Sequence, residues 1–284
     1  MGSEHTIYLT SLGSLEIYPE NTACKFINRL GQPIVLPDDV EYEVGLVSIL
    51  YPTRHDAIVA HDNIFKITFT TIFNTGKGEG GKHTFRYNPN VSIPAGNMKR
   101  LVDALNSDMT DELRVYFGDN LTHYVKDGRI FRWNETHQRI ELQYVKGESL
   151  KAGEVTKIGI TFSQRAGYIL GFRGDTMYEI YGSQQMKDGG ILSYSFPSEN
   201  CGVDYIYVYS DIIQPSPFAG KLVNILDCFH VDNGRSKGIH NTLYKPLKAR
   251  IIDQISIVIK DQNGRRINFS ENSSVTCVLH ARPK

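Results

Sequence analysis

Charge of one sign is not in excess anywhere in the total for this 284-residue chain: 31 Lys and Arg face 31 Asp and Glu, for a formal net charge of zero. Bulk binding of nucleic acid needs a basic surplus, so no specific nucleic-acid partner is expected. Long apolar runs are missing too. No stretch approaches the roughly 18 residues that cross a bilayer, and Met1-Gly2-Ser3-Glu4-His5 lacks the basic and apolar regions of a secretory signal. These absences imply a soluble, non-secreted protein with no membrane partner. Cysteine is sparse and unpaired. Cys24, Cys201, Cys228 and Cys277 form no Cys-x-x-Cys, which argues against a zinc ribbon or a redox dithiol. Each lies in or beside an apolar run, where a small buried thiol in a reducing compartment is expected.

Catalytic signatures are absent as well. There is no Gly-x-Ser-x-Gly elbow, no His-Glu-x-x-His and no pair of histidines at helical spacing, and the nine histidines are scattered. No catalytic, cofactor-binding or metal-ligating residue is therefore assigned, no cofactor is expected, and the chain is not expected to be an enzyme. Two near-misses fail on context. Gly76-Lys77-Gly78-Glu79-Gly80-Gly81-Lys82-His83 approaches a phosphate-cradling loop, but His83 stands where a Ser or Thr would ligate magnesium, and His83 to Tyr87 alternates like a strand. The glycines from Asn74 to Lys82 read instead as a mobile loop. Met1-Gly2 with Thr6 fits the permissive myristoylation pattern, yet Met-Gly-Ser is also a common cloning scar. Asn-x-Ser/Thr triplets at Asn90, Asn120, Asn134, Asn268 and Asn272 count as chance without a secretory signal.

What the chain does contain is β-forming side chains. It has 28 Ile, 18 Val, 17 Thr and 30 aromatics against only 10 Ala, which suits pleated, half-buried surfaces. Strands are expected at about 22–30, 41–51, 64–73, 191–196, 203–213, 221–229, 251–260 and 274–281. In the second, Tyr42, Val44, Leu46, Ser48 and Leu50 share one face and Val47, Ile49 and Tyr51 the other, so a central, covered strand is expected. Tyr205, Tyr207 and Tyr209 share one face of a later strand, with Ile206 and Val208 opposite. Asn263-Gly264 predicts a tight hairpin between Ile251–Lys260 and Arg265–Phe269.

The middle reads differently. Asn97 caps a helix from Met98 to about Met109, with Met98, Leu101, Val102 and Leu105 at helical spacing. A meander follows: Leu121 to Lys126, an Asp127-Gly128 turn, Arg129 to Trp133, and Arg139 to Val145. Ser163 caps a short helix that Gly171 ends. Eight strands in two end blocks suit a sandwich. The expected fold class is mainly β, a single jelly-roll β-sandwich with an inserted small α+β domain: residues 1–75 plus 190–284 form the jelly roll, and 76–189 the insert.

Charge is uneven between the blocks. Residues 1–59 carry 3 basic and 8 acidic side chains, residues 221–284 carry 11 and 5. One reading is a solvated face; the other is head-to-tail contact between copies, with opposite charges setting register. Trp133, Tyr124 and Tyr144 could likewise form the insert's core or a stacking platform for a carbohydrate.

Several of these segments, in order, resemble a known family. They are Glu43-Val44-Gly45-Leu46 with Tyr51-Pro52; Tyr207-Val208-Tyr209-Ser210-Asp211-Ile212-Ile213-Gln214-Pro215; Tyr244-Lys245-Pro246-Leu247; Ile255 to Phe269 with its Asp261-x-Asn263-Gly264 turn; and Val278-Leu279-His280-Ala281-Arg282. Ile93-Pro94-Ala95-Gly96 before a helix, and Phe162-Ser163 leading to Ile169-Leu170-Gly171-Phe172, complete the series. Together they resemble the minor capsid (penton) proteins of Polinton/Maverick elements and virophages, although Ala281 stands where that family has a Phe. The resemblance implies a jelly roll perpendicular to the capsid surface with its insert outward, assembled as a homopentamer at each icosahedral fivefold vertex. Its partners would be itself, the surrounding double-jelly-roll major capsid protein and, through the insert, a host receptor. Its place would be the virion, after synthesis in the host cytoplasm. The competing reading is a carbohydrate- or receptor-binding jelly-roll module.

Overall fold

A computed structural model describes residues 3–52, 55–58, 65–72, 82–87, 93–94, 97–117, 130–142, 154–181, 191–198, 200, 202–231, 236–239, 241–269 and 273–284. The glycine loop before Lys82, the 121–126 strand with its Asp127-Gly128 turn, Tyr124, Tyr144 and Cys201 lie outside the described residues.

The chain begins with β1 (His5–Thr10), β2 (Lys25–Val35) and β3 (Tyr42–Leu50). It continues through β4 (Asp56–Ile58), β5 (Phe65–Ile72), β6 (Lys82–Tyr87), β7 (Ile93–Pro94), α1 (Met98–Phe117), β8 (Phe131–Asn134), β9 (Arg139–Leu142), β10 (Glu154–Phe162), α2 (Gln164–Leu170), β11 (Met177–Tyr181) and β12 (Ile191–Leu192). The last part holds β13 (Tyr205–Ser210), β14 (Ser216–Phe218), β15 (Lys221–Val223), β16 (Ile225–His230), β17 (Ser236–Gly238), β18 (Lys245–Pro246), β19 (Ile251–Asp261) and β20 (Thr276–Pro283). Two compact units result: Met1–His55 with Val203–Lys284, and the continuous stretch Asp56–Gly202.

In the first unit one sheet runs β1-β20-β3-β17, with β18 also on β3, and the other runs β16-β13-β19-β2. Read along the chain, β1 belongs with β20, β2 with β19, β3 with β17 and β13 with β16, all antiparallel. This nested pairing is a long hairpin rolled up, which is jelly-roll topology. Alternation supplies the core. Cys277, Leu279 and Ala281 of β20 and Val44 and Leu46 of β3 face Phe26, Ile206, Val208, Ile255, Ile257 and Ile259 of the other sheet in one buried cluster. Each such aliphatic side chain contributes about 1.5–3 kcal/mol by leaving water.

Strand β3 departs from strict alternation. A register shift opposite Val278 and Leu279 pairs Leu46 with Leu279 and Ser48 with Val278, leaving Val47 extra. After this bulge the buried set changes phase: Ile49 and Tyr51 face the core, and Leu50 is 49% exposed. The expected face Tyr42, Val44, Leu46, Ser48, Leu50 is therefore correct only to Leu46.

Three strand assignments also change. Phe65–Ile72 pairs with β6 and β10, and Ile191–Leu192 with β9, so the strands expected at 64–73 and 191–196 belong to the second unit. Their places in the sandwich are taken by β1, whose Ile7-Tyr8-Leu9 reads as a short strand in the sequence but does not announce its partner, and by the three-residue β17, too short for periodicity to place. The strand expected at 221–229 is two: β15 pairs with β14 around Ala219 and Gly220, both at positive φ (47° and 76°), and β16 joins the sheet. Two consecutive positive φ values suit a type I′ turn. The Asn263-Gly264 hairpin forms its turn and little more. Gly264 has φ 75°, its N–H donates to Asp261 O at 3.0 Å, and Lys260 bridges Arg266, but 265–269 builds no named strand. Asp261 explains the turn's stability, because its buried carboxylate accepts N–H bonds from Asn263 and Arg265, both at 2.9 Å.

The second unit has its own core. Leu101, Val102, Leu105 and Met109 of α1 pack with Ile130, Phe131, Ile140 and Leu142 of the β8–β9 hairpin and with Ile160, Phe162, Ile169, Leu170 and Phe172. Asn97 Oδ1 accepts Lys99 N–H at 2.8 Å, as an N-cap does, and the helix outruns the expected Met109 to reach Phe117. Ser163 Oγ accepts Ala166 N–H at 3.2 Å, and Gly171 ends α2 at φ 79°, a value that favours glycine. Asn106 ties helix to hairpin: it donates to Phe131 O at 2.7 Å and accepts from Ile130 and Phe131 N–H.

Candidate assembly surfaces

Among the described residues, no cluster of metal-ligating side chains forms: no group of three or more His, Cys, Asp and Glu side chains is placed to hold a metal ion. Lys82 and His83 open strand β6 rather than a helix, the wrong element for a phosphate cradle. The cysteines differ from one another. Cys277 is fully buried and its thiol is pushed up to about 12 by desolvation, whereas Cys24 is half-buried and Cys228 is exposed. The expectation of a buried thiol thus fails at Cys228, whose side chain lies on the outer face of β16. Partial desolvation and the Asp227 carboxylate still raise its pKa, against Lys245.

The charge split between the chain ends is resolved within one molecule. Strands β1, β20 and β3 are neighbours, and across them Glu4 meets His280 at 3.3 Å, Glu43 meets Arg282 at 2.8 Å and Glu41 meets Lys284 at 3.2 Å. Tyr244 closes this surface, its hydroxyl 2.9 Å from His280 Nδ1 and its ring 3.6 Å beneath the Arg282 guanidinium. Two of the eight acidic side chains counted in residues 1–59, Glu41 and Glu43, thus meet a basic side chain of residues 221–284 in cis, and Glu4 lies against a histidine outside that count.

The outer face of the other sheet is aromatic. Tyr205, Tyr207 and Tyr209 project from β13 opposite the buried Ile206 and Val208, as the alternation predicts. Tyr205 is 45% exposed and meets the His230 ring edge-on at 5.3 Å. The β14–β15 hairpin leans on the same face: Phe218 packs edge-on against Tyr207 at 5.7 Å while remaining 45% exposed, and Leu222 is 72% exposed. Lys260 Nζ sits 4.8 Å over Tyr209, whose pKa is raised by desolvation and then by Tyr207 and Cys228. Aromatic, partly desolvated surface of this kind is enriched where proteins bury area against one another.

In the second unit, Trp133 packs against the core, so it joins the hydrophobic cluster rather than a stacking platform. The exposed aromatics are others. Tyr194 and Phe196, 65% and 64% exposed, lie under Arg173 (3.9 Å) and Arg139 (4.8 Å). Sequence reasoning missed this pair because the two arginines come from segments 34 residues apart, and nothing in their spacing announces that they meet.

No protein-family model matches the chain, and no curated protein sequence does. Among solved structures, the crystal structure of selenomethionine-labelled mavirus penton protein is similar over 99% of this chain and 100% of its own, with a TM-score of 0.52 and 9% identity. At that identity the likeness is one of fold. A mainly β fold is therefore shared over 99% of this chain and the whole of that one.

Proposed function

We propose that this chain is a structural capsid protein, a penton subunit whose copies close into a homopentamer at the fivefold vertices of an icosahedral particle. The observation that carries this reading is the full-length likeness to mavirus penton protein, which takes in both units rather than the common sandwich alone. The segment between β3 and β13 is then an inserted domain, displayed outward, on a jelly roll that contacts its neighbours and the double-jelly-roll major capsid protein. The virion is its destination, after synthesis in the host cytoplasm.

A cyclic ring uses heterologous contacts, in which one patch meets a different patch on the next copy. The charge split is a weaker source of such contacts than the sequence suggests, because Glu41 and Glu43 are already paired in cis and exposed pairs contribute only about 0–1 kcal/mol each. The tyrosine face and the Phe218–Leu222 hairpin are better suited to the role. A second reading rests on Tyr194 and Phe196: an exposed aromatic pair under arginines suits a receptor contact by the second unit, and the two roles are compatible. Electron microscopy of particles made by coexpression with a double-jelly-roll major capsid protein tests the main reading. Density for this chain at the fivefold vertices is expected; complete particles whose vertices lack it would refute the proposal.

A further inference from the structure

The edge of a β-sheet carries unpaired backbone N–H and C=O groups that can take a strand from another chain. Strand β1 is such an edge, with β20 as its neighbour in the sheet order. Ser11 N–H donates to Val275 O at 2.9 Å, whereas the Thr10 N–H and C=O turn the other way, to the Asn28 side chain. Backbone groups alternate in direction along an antiparallel strand, so those of Thr6 and Tyr8 also turn away from β20. Among the described residues they meet no partner there. The edge of β2 is closed by contrast: Asn21 bonds the N–H and C=O of Ile27 at 2.9 Å each, and Ser14 Oγ accepts the Arg29 N–H at 3.0 Å.

The open edge and the chain that leaves it are apolar and acidic. Tyr8 is 73% exposed, and Leu12, Leu15 and Ile17 of the β1–β2 connection are exposed as well. Residues 3–21 contain Glu4, Glu16 and Glu20 but no Lys or Arg, and Glu16 and Glu20 are exposed with no ion-pair partner among the described residues. The β14–β15 hairpin is the complementary kind of edge. Around its two-residue turn Phe218 pairs with Lys221 and Pro217 with Leu222. Residues flanking such a turn bond each other, so the next pair turns its backbone groups outward. Pro217 has no N–H, which blunts the β14 side, but the Leu222 N–H and C=O are open. Leu222 is 72% exposed, and Lys221 is exposed with no ion-pair partner among the described residues.

We propose that the β14–β15 hairpin of a second copy adds to the β1 edge, Leu222 lying antiparallel opposite Tyr8 so that their backbones exchange hydrogen bonds and their side chains cover each other. The proposal rests on the penton reading and deepens it by naming a contact that joins neighbouring copies. Charge sets the direction. Antiparallel pairing puts Lys221 opposite Leu9, toward the end of β1 from which the connection carrying Glu16 departs, and opposite charges across a contact fix register. The apolar cross-strand pair adds to the backbone bonds. Pairing β1 with β1 of another copy would instead set acidic segment against acidic segment. Because the contact joins different patches, it runs head to tail and closes a ring, which a self-complementary edge does not.

Sedimentation equilibrium on the full chain tests this with two proline variants. Tyr8→Pro and Leu222→Pro each remove one outward N–H that bonds nothing within a copy, a place where edge strands accept proline; circular dichroism checks that the fold is kept. Each variant alone should lose about tenfold or more in self-association, from the missing backbone bond and apolar pair. Mixed in equal amounts they should form a heterodimer and no ring, because the Tyr8→Pro copy still offers its hairpin to the intact β1 of the Leu222→Pro copy. A second pair, Glu16→Lys and Lys221→Glu, alters only exposed side chains. Each should weaken association about threefold, the scale of an exposed ion pair, and both together in one chain should restore it. If the parent forms pentamers, then rings that persist in both proline variants, a mixture that stays monomeric, or charge variants that do not restore each other would overturn this contact and leave the penton reading standing. A parent that never self-associates would refute that reading, and this contact with it.

Discussion

Asn28 joins the two sheets of the sandwich, and its removal has a cost that can be worked out atom by atom. Its side chain is only 6% exposed. Oδ1 accepts the Thr10 N–H at 2.7 Å, and Nδ2 donates to Thr10 O at 2.9 Å and to Ile27 O at 3.2 Å. Thr10 lies at the end of β1 in one sheet, Asn28 in β2 of the other. In Asn28→Ala the two carbonyls keep partners, Gly13 N–H for Thr10 at 2.9 Å and Asn21 Nδ2 for Ile27 at 2.9 Å. The Thr10 N–H loses its acceptor, a penalty of about 1–3 kcal/mol. The vacated space is polar and can admit water, so no large cavity term is added. We expect a loss of about 2 kcal/mol.

Asn28→Asp should be worse at pH 7. It still accepts from Thr10, but it sets a buried carboxylate against two carbonyl oxygens in place of a donor. The folded state then binds a proton more tightly than the unfolded chain, so the folded pKa of the new carboxyl is raised. Its penalty is full above that pKa and disappears as pH falls below the unfolded value of about 4. Urea unfolding followed by far-UV circular dichroism at pH 7 and pH 4 measures both variants. Trp133, the only tryptophan, reports separately on the second unit. An Asn28→Ala variant within about 0.5 kcal/mol of the parent, well under the orphaned N–H penalty, or an Asn28→Asp variant that gains nothing on acidification relative to the parent, would refute this reasoning.

Three further outcomes are expected. Cys277, with its thiol pushed up to about 12, should resist alkylation in the native protein at pH 8.5 while Cys228 reacts. Because its folded pKa is raised, its contribution is intact below about pH 8.5 and is lost as pH rises toward 12, so Cys277→Val should flatten alkaline destabilisation; mass spectrometry and alkaline melts check the two parts. Phe218→Ser with Leu222→Ser, at exposed positions of the β14–β15 hairpin, should weaken self-association at least tenfold in sedimentation without lowering the melting temperature by more than a few degrees. Joining His55 to Val203 through a short Gly/Ser linker should leave a cooperatively folding β protein by circular dichroism, since among the described residues the sandwich core draws no side chain from 56–202.

The chain was legible where a single local rule decides the outcome. Asn97, Ser163 and Gly171 mark helix ends through capping geometry, and the tyrosines of β13 face outward because strand period is two. Membership of a sheet is different, because it depends on which strands pair across long distances. Phe65–Ile72 reads as a sandwich strand by pattern, yet its partners are β6 and β10. A bulge at Val47 is likewise invisible in β3 alone, since it is defined by the register of β20 opposite. Among candidate surfaces, the charge asymmetry was readable, but not that Glu41 and Glu43 meet Lys284 and Arg282 in the same molecule.

The central claim is fivefold closure of a 32.1 kDa subunit, and sedimentation equilibrium over a wide range of protein concentration tests it most directly. The account predicts a monomer in exchange with a species of five times that mass, the ring gaining occupancy as concentration rises by mass action. A protein that stays monomeric at the highest concentration, or that stops at a dimer, would contradict it.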